Sequence, residues 1–323
     1  MTSDSFFEKP KNGEPWDVAI IGSGPAGLTA AIYTTRGARS TIVFGGTAWG
    51  GQLMLTSEVD NFPGFPEGIL GPDLMNNMRK QAERFGTEIR NQDIESVDFS
   101  ASPFVIHVNN EQVLAKTIIV ATGAATKWLG IPGEDKLRGR GVSSCAPCDA
   151  PFFKNKKVIV AGGGDSAMEE ALVLSKYASE VTIVHRRDAF RASAAMQQKV
   201  FSNKAIKILY NTEIIELFGE QKLEKAKLKS TEKGEWEMPI DGLFVAIGHI
   251  PQTAIFSKTL TVNEIGYLVR NSQDGYETAT NIPGVFTSGD VHDHHYRQAV
   301  TAAGFGAMSA LDALRFLDME KEN

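Results

Sequence analysis

Cys145 and Cys148 are the only thiols in this 323-residue chain, and they stand together in Cys145-Ala146-Pro147-Cys148-Asp149. At that spacing the sulfurs can close a small disulfide or donate half of a metal site. Chance or core packing would more often scatter two cysteines. Thiolate is the reactive form, and a C-x-x-C setting commonly lowers a thiol pKa. Asp149 is a carboxylate beside the pair, suited to exchanging a proton with a leaving thiolate. A four-cysteine metal site would need a second C-x-x-C, which is absent. His292, His294 and His295 are the nearest thing to further ligands, and a polar loop is their plainer reading. The expectation is therefore redox chemistry at Cys145, Cys148 and Asp149, with no metal.

Two glycine-rich turns flank the dithiol in sequence. The first is Gly22-Ser23-Gly24-Pro25-Ala26-Gly27, directly after the β-rich run Trp16 to Ile21. In such a turn the first glycine permits a tight bend, the second lets a pyrophosphate approach, and the third allows close helix–strand packing. The helix that follows supports the phosphate charge with its N-terminus. An acidic residue about 20 positions on ordinarily holds the adenosine ribose. Here Phe44-Gly45-Gly46 occupies that place, with no carboxylate before Glu58. Ribose binding is expected from backbone groups of Gly45 to Gly51, or from elsewhere.

The second turn is Gly162-Gly163-Gly164-Asp165-Ser166-Ala167, again between strand-like and helix-like runs. Alanine at the last position is allowed by the fingerprint. His185-Arg186-Arg187 follows, with Arg191 four positions further. Cations at this place suit a 2′-phosphate, which guanidinium groups grip through a planar fork. The reading is an NADPH site; a solvated basic patch after a glycine turn is the bland alternative.

The elements that would position these groups are legible from periodicity. Trp16–Ile21, Thr41–Phe44, Phe104–Val108 and Thr117–Ala121 read as strands. Leu28–Thr35 and the amphipathic Gly71–Phe85 read as helices. A second unit has strands Lys157–Ala161 and Val181–Val184, with a helix over Met168–Tyr177 between them. Ile206–Tyr210, Leu243–Ile247 and Val285–Asp290 are further strands. Gly248-His249-Ile250-Pro251 reads as a linker, and Ala299–Glu320 as a closing helix. The length suggests about two domains. Net charge is −6, which argues against a nucleic-acid surface, and 42% of residues are hydrophobic. The first residues, Met1 to Trp16, lack the apolar core of a secretory signal. No apolar run approaches the roughly 20 residues of a membrane span. A cytoplasmic address is the default, and there C-x-x-C reads as catalytic or metal-binding rather than structural.

Taken in order, GSGPAG at 22–27, GGQL at 50–53, ATGA at 121–124, CAPCD at 145–149, GGGDSAMEEA at 162–171, HRRDAFR at 185–191 and GDVHDHHYRQA at 289–299 resemble one family. The chain is similar to the bacterial-type, low-molecular-weight, NADPH-dependent thioredoxin reductases from about Trp16 to Leu317. The dithiol within the nicotinamide-binding segment is the specific part of the match; the rest is common to two-dinucleotide flavoproteins.

The resemblance implies an α/β fold of two Rossmann-like (three-layer ββα) dinucleotide-binding domains, the second inserted into the first. A discontinuous FAD domain would take 1–125 and 250–323, and an NADPH domain with the dithiol would take 126–249. Cys148 would face the flavin, Cys145 would attack the disulfide of thioredoxin, and Asp149 would be their acid–base partner. FAD would be held by Gly22, Ser23, Gly24, Pro25, Ala26 and Gly27, by Gly45, Gly46 and Thr47, and by Gly50, Gly51, Gln52 and Leu53. Asn61, Ala121, Thr122, Gly123, Gly289, Asp290, Arg297, Gln298 and Ala299 would complete that site. NADPH would be held by Gly162, Gly163, Gly164, Asp165, Ser166, Ala167, His185, Arg186, Arg187 and Arg191. Family members are homodimers in which the NADPH domain rotates, and the Gly/Pro-containing stretches near 122–133 and 248–251 are hinge candidates.

Two departures stand out: Pro147 where many relatives have Thr, and Ala150-Pro151 where a Gly commonly follows the Asp. The alternatives left open are a same-scaffold reductase of another disulfide carrier, a dithiol oxidase, and a non-catalytic redox sensor.

Overall fold

The computed structural model describes residues 7–11, 13–56, 58–272 and 275–320. The opening of the polar N-terminal stretch, through residue 6, lies outside them. The chain divides into two compact units, Met1–Ala125 with Ile250–Asn323, and Thr126–His249.

The first unit is built on a seven-stranded sheet. Glu88–Arg90, Thr41–Phe44, Trp16–Ile21 and Glu111–Val120 lie side by side and run parallel. Val285–Thr287 pairs in parallel with Ile118–Val120, while Phe104–Val108 and Ser96–Asp98 continue the sheet antiparallel. Strands covered on both faces should be apolar throughout, and all four residues of Thr41–Phe44 are buried. Helices Pro25–Arg36, Gly71–Arg84 and Ala299–Met319 supply Leu28, Ala31, Leu74, Met75, Ala310 and Ala313 to a core with Ile20, Val43 and Ile119. A second core joins Ile21, Ile42 and Phe44 to Phe104, Ile106 and Phe256.

Ala299–Met319 is the single helix among the described residues that passes for a membrane span by length and composition alone. Its packing explains the composition. A Cβ on Gly306 would lie 2.3 Å from the Ala26 carbonyl oxygen, so the two helices touch backbone to backbone. Buried Asp312 on the same helix accepts both the N–H (2.9 Å) and hydroxyl (2.7 Å) of Thr278.

The second unit has a five-stranded, all-parallel sheet in the order Val142–Ser143, Gly242–Val245, Lys157–Ala161, Glu180–Val184, Ile206–Leu209. Helix Asp165–Leu174 packs on it through Ala167, Met168, Ala171 and Leu174. A three-stranded antiparallel sheet, Thr212–Phe218, Lys225–Ser230 and Gly234–Pro239, forms a further layer. The alternation Lys225-Ala226-Lys227-Leu228, whose Ala and Leu are fully buried, is the period-2 signal that marks it.

The remaining differences have local causes. Helices Pro25–Arg36 and Asp165–Leu174 begin three residues before the expected Leu28 and Met168, because Gly24 and Gly164 themselves serve as the N-caps. The expected strand Val285–Asp290 stops at Thr287, and Gly289–Val291 turns into a 3-10 helix. The expected linker at 248–251 contains a strand, His249–Pro251, paired with Ala124–Thr126. The Gly/Pro-rich segment near 128–133 is fastened within the second unit. Glu134, 1% exposed, accepts the N–H groups of Leu129 (3.0 Å) and Gly130 (2.7 Å).

Candidate active site

Cys145 and Cys148 form a disulfide. Val142–Ser143, an edge strand of the parallel sheet, delivers Cys145 to the N-cap of a single helical turn, Ala146–Asp149. The Cys148 and Asp149 N–H groups close that turn on the Cys145 carbonyl at 3.2 and 3.1 Å. Pro147 falls in its first positions, where a missing N–H removes no helical bond. Two side chains fix the start of the turn: the Ser143 hydroxyl accepts the Cys145 N–H (3.1 Å), and Glu170 accepts the Ala146 N–H (2.6 Å). Burial pushes the Asp149 carboxyl above its usual range, and a hydrogen bond from Ser143 opposes part of that rise. A proton can therefore reside on Asp149, the residue after Cys148, at higher pH than on an exposed aspartate.

The glycines of the second turn have distinct surroundings. A Cβ on Gly162 would meet the Ala246 carbonyl oxygen at 2.4 Å, whereas one on Gly164 would meet nothing within 4 Å. The open flank at Gly164, at the start of a helix, is where a phosphate can approach. Arg186, Arg187 and Arg191 are exposed on the segment after Glu180–Val184. That segment is tied to the turn: Arg191 and Ala192 donate to the Gly163 carbonyl at 2.7 and 3.2 Å. Asp165 accepts the Ser193 N–H and hydroxyl at 2.9 and 2.8 Å. His185 is placed beneath the turn, 6% exposed, with Nε2 3.0 Å from the Ala189 carbonyl. A Cβ on Gly163 would strike its ring at 2.3 Å. His185 thus shapes the arginine loop from below, and burial, aided by the three arginines, pushes its pKa down.

The first turn repeats the pattern. A Cβ on Gly22 would meet the Ala121 carbonyl oxygen at 2.2 Å, and one on Gly27 the Gly22 carbonyl oxygen at 2.0 Å. At Gly24 a Cβ would meet nothing within 4 Å. Gly51 stands opposite, its ideal Cβ 3.6 Å from the Gly24 Cα. Ser23 sets that approach by donating to the Gly45 carbonyl (3.0 Å) and accepting the Gly50 N–H (2.9 Å). Gln52 and Leu53 continue into the 3-10 helix Gly51–Leu55. The Thr122 hydroxyl donates to the Gln252 carbonyl at 2.7 Å, and Gln252 returns an N–H to Gly123 at 3.0 Å.

Gly289 brings Asp290 to the same place, since its ideal Cβ lies 2.8 Å from the Ala26 Cβ. Asp290 Oδ1 is buried with no hydrogen-bond partner. Burial, reinforced by the charge of Asp293, pushes this carboxyl up to about 7 against the opposing pull of Arg297. Asp293 gathers the N–H groups of His295 (3.0 Å), Tyr296 (2.9 Å) and Arg297 (3.2 Å). Arg297 is thereby held at φ +49°, just ahead of Gln298 and helix Ala299–Met319. The Asn61 amide donates to Gln298 Oε1 at 3.2 Å, which joins two candidate flavin contacts. An open glycine cradle and a sealed, unpaired carboxylate oxygen fit a dinucleotide carrying ribityl hydroxyls. His292, His294 and His295 lie on Phe305, Tyr267 and Tyr296. Among the described residues no cluster of His, Cys, Asp or Glu is arranged to hold a metal ion.

Sequence reasoning missed Ser143, Glu170 and Ser193. Glu170 stood within the quoted GGGDSAMEEA, but only the fold shows that it reaches Ala146.

Two dinucleotide cradles and a redox disulfide in one chain define a flavin- and nicotinamide-linked disulfide oxidoreductase. The chain belongs to the pyridine nucleotide-disulphide oxidoreductase family, whose model matches residues 16–306. It is 51% identical to a thioredoxin reductase of Streptomyces clavuligerus over 304 residues, 93% of this chain and 94% of that protein. A thioredoxin reductase of Chlamydia pneumoniae is 50% identical over 306 residues, 92% of this chain and 97% of that one. The solved thioredoxin reductase from Giardia duodenalis superimposes with a TM-score of 0.89 at 43% identity, covering 95% of this chain and all (100%) of that chain.

Proposed function

We propose that this protein is an NADPH-dependent thioredoxin-disulfide reductase that uses FAD. The observation that carries the reading is the Cys145–Cys148 disulfide, set in the unit that also holds the second glycine turn. The first unit is the FAD domain and the inserted unit the NADPH domain. When bound, FAD would supply the two-electron chemistry that links a nicotinamide hydride to a disulfide. Gly22 to Gly27 and Asp290 would hold and orient the flavin dinucleotide. Gly162 to Ala167 with Arg186, Arg187 and Arg191 hold NADPH by its phosphates.

Reduction of Cys145–Cys148 consumes two electrons and two protons, and Asp149 is the group positioned to deliver a proton to a departing sulfur. The Cys145 thiolate then attacks one sulfur of oxidised thioredoxin and the other leaves as a thiol. Attack by Cys148 on the mixed disulfide releases reduced thioredoxin and restores the starting disulfide. The chain acts as a cytoplasmic homodimer in this reading. Support comes from its family resemblance and from cysteine usage suited to a reducing compartment.

NADPH oxidation by the flavin-loaded protein with oxidised thioredoxin, run beside NADH and beside oxygen alone, tests the reading. Fast turnover only with NADPH and thioredoxin is expected. Turnover with oxygen alone would point to an oxidase. Cys148→Ser should still let NADPH bleach the flavin while thioredoxin reduction stops.

A further inference from the structure

The loop after the second strand of the flavin unit has no carboxylate of its own, yet one stands against it. Thr41–Phe44 and Glu88–Arg90 are parallel neighbours, with Phe44 opposite Arg90. Chains that leave that edge in step stay together. Gly45 N–H donates to the Arg90 carbonyl at 2.8 Å, and Gly46 N–H to the Gln92 carbonyl at 3.2 Å. Asp93 comes next. Its Oδ1 accepts the Thr47 N–H at 3.2 Å and its Oδ2 the Thr47 hydroxyl at 2.8 Å. The approach depends on glycine: a Cβ on Gly46, whose φ is +75°, would lie 2.8 Å from Asp93 Oδ1. Ser23 holds the other flank of this loop through Gly45 and Gly50.

We propose that Asp93 is the carboxylate of the adenosine-ribose subsite. It replaces, from the loop after the neighbouring strand Glu88–Arg90, the acid that dinucleotide-binding units ordinarily carry at the end of their second strand. An ionised carboxylate only accepts, at about four lone-pair positions. Thr47 occupies two of them, and the others accept the donors of a ribose with free hydroxyls. The same charge repels a 2′-phosphate, so this unit takes FAD and refuses NADPH, whereas the exposed arginines of the second unit do the reverse. The inference rests on the FAD assignment made above.

The test uses flavin release from holoprotein, followed by recovery of flavin fluorescence. Native protein, Asp93→Asn, Asp93→Ala and Thr47→Ala are each loaded with FAD or with FAD whose adenosine is 2′,3′-dideoxy. A hydrogen bond to a charged group predicts that native protein releases the dideoxy analogue roughly 10- to 100-fold faster. Both Asp93 variants should close that gap, while Thr47→Ala, which loses a loop fastening and keeps the carboxylate, should retain it. Equal release of the two flavins by native protein, or a full gap in Asp93→Asn, would overturn the proposal. Native protein that takes up no FAD at all would instead sink the cofactor assignment.

Discussion

The Glu170 carboxylate accepts the Ala146 N–H at 2.6 Å, and so ties the helix after the second glycine turn to the turn that carries Cys148. Glu170 lies on Asp165–Leu174, which starts at the second glycine turn with Gly164 as its N-cap. Ala146 is the residue after Cys145. One charge-assisted hydrogen bond therefore sets the attitude of the dithiol relative to the second glycine turn within the same unit.

Loss of that bond should be felt in the thiols. Glu170→Ala is expected to lower kcat for thioredoxin about tenfold or more, in keeping with a hydrogen bond to a charged group. Glu170→Gln keeps an acceptor and removes the charge. A negative charge disfavours a nearby thiolate, so Glu170→Gln should move the alkylation of the reduced dithiol to lower pH with little change in melting temperature. Alkylation profiles of native and Gln proteins that coincide would show that the charge has no part in tuning the thiols.

Asp149 and Ser143 should shape the pH–rate profile. The protonated carboxyl is the form that can donate to a departing sulfur, so turnover falls as pH rises through the Asp149 pKa. Burial raises that pKa and the Ser143 hydrogen bond lowers it. Ser143→Ala removes the lowering contribution and should shift the alkaline limb to higher pH. Asp149→Asn should abolish the limb and reduce kcat by about 10²–10⁴-fold. Stopped-flow reduction of thioredoxin across pH reads both effects; an unmoved limb in Ser143→Ala would remove Asp149 from the proton path.

The glycines of the first turn should separate folding from binding. Gly27→Ala places a methyl group 2.0 Å from the Gly22 carbonyl oxygen. Overpacking of that kind should destabilise the fold by about 1–3 kcal/mol or more. Gly24→Ala meets nothing within 4 Å, and Gly24 has φ −69°, open to any residue. Its melting temperature without flavin should match the native value, while FAD affinity drops roughly tenfold or more because the methyl group fills the pyrophosphate approach. Thermal melts and flavin titrations of the two variants decide this.

Arginine substitutions should separate the coenzymes. Arg186→Ala with Arg187→Ala is expected to raise KM for NADPH by roughly 100-fold, from charge-assisted bonds to the 2′-phosphate, and to leave KM for NADH nearly unchanged. Asp165→Asn should weaken the same preference, since Asp165 fastens Ser193 beyond the arginine loop at 2.9 and 2.8 Å. Equal losses for NADPH and NADH in the double variant would place the 2′-phosphate elsewhere.

The features that the sequence alone determined are those whose physics is local. Cys145 and Cys148 can bond because three positions separate them. Gly22, Gly24 and Gly27 announce a phosphate turn because strand, bend and helix follow within a few residues, and the same holds from Gly162 to Ala167. Trp16–Ile21, Thr41–Phe44 and Lys157–Ala161 were readable to the residue, because strands buried on both faces are continuous apolar runs. What the tertiary structure decided is which distant side chains meet. Asp93 reaches Thr47 across 46 positions of chain, and Glu170 reaches Ala146 across 24. Asp290 Oδ1 is buried by tertiary packing, where the preceding Gly289 sits against Ala26 and Ala302, residues distant in sequence. Parallel strands bring their exits to one edge through long crossovers, so the register of the sheet, which no short window of sequence contains, selects the partners there.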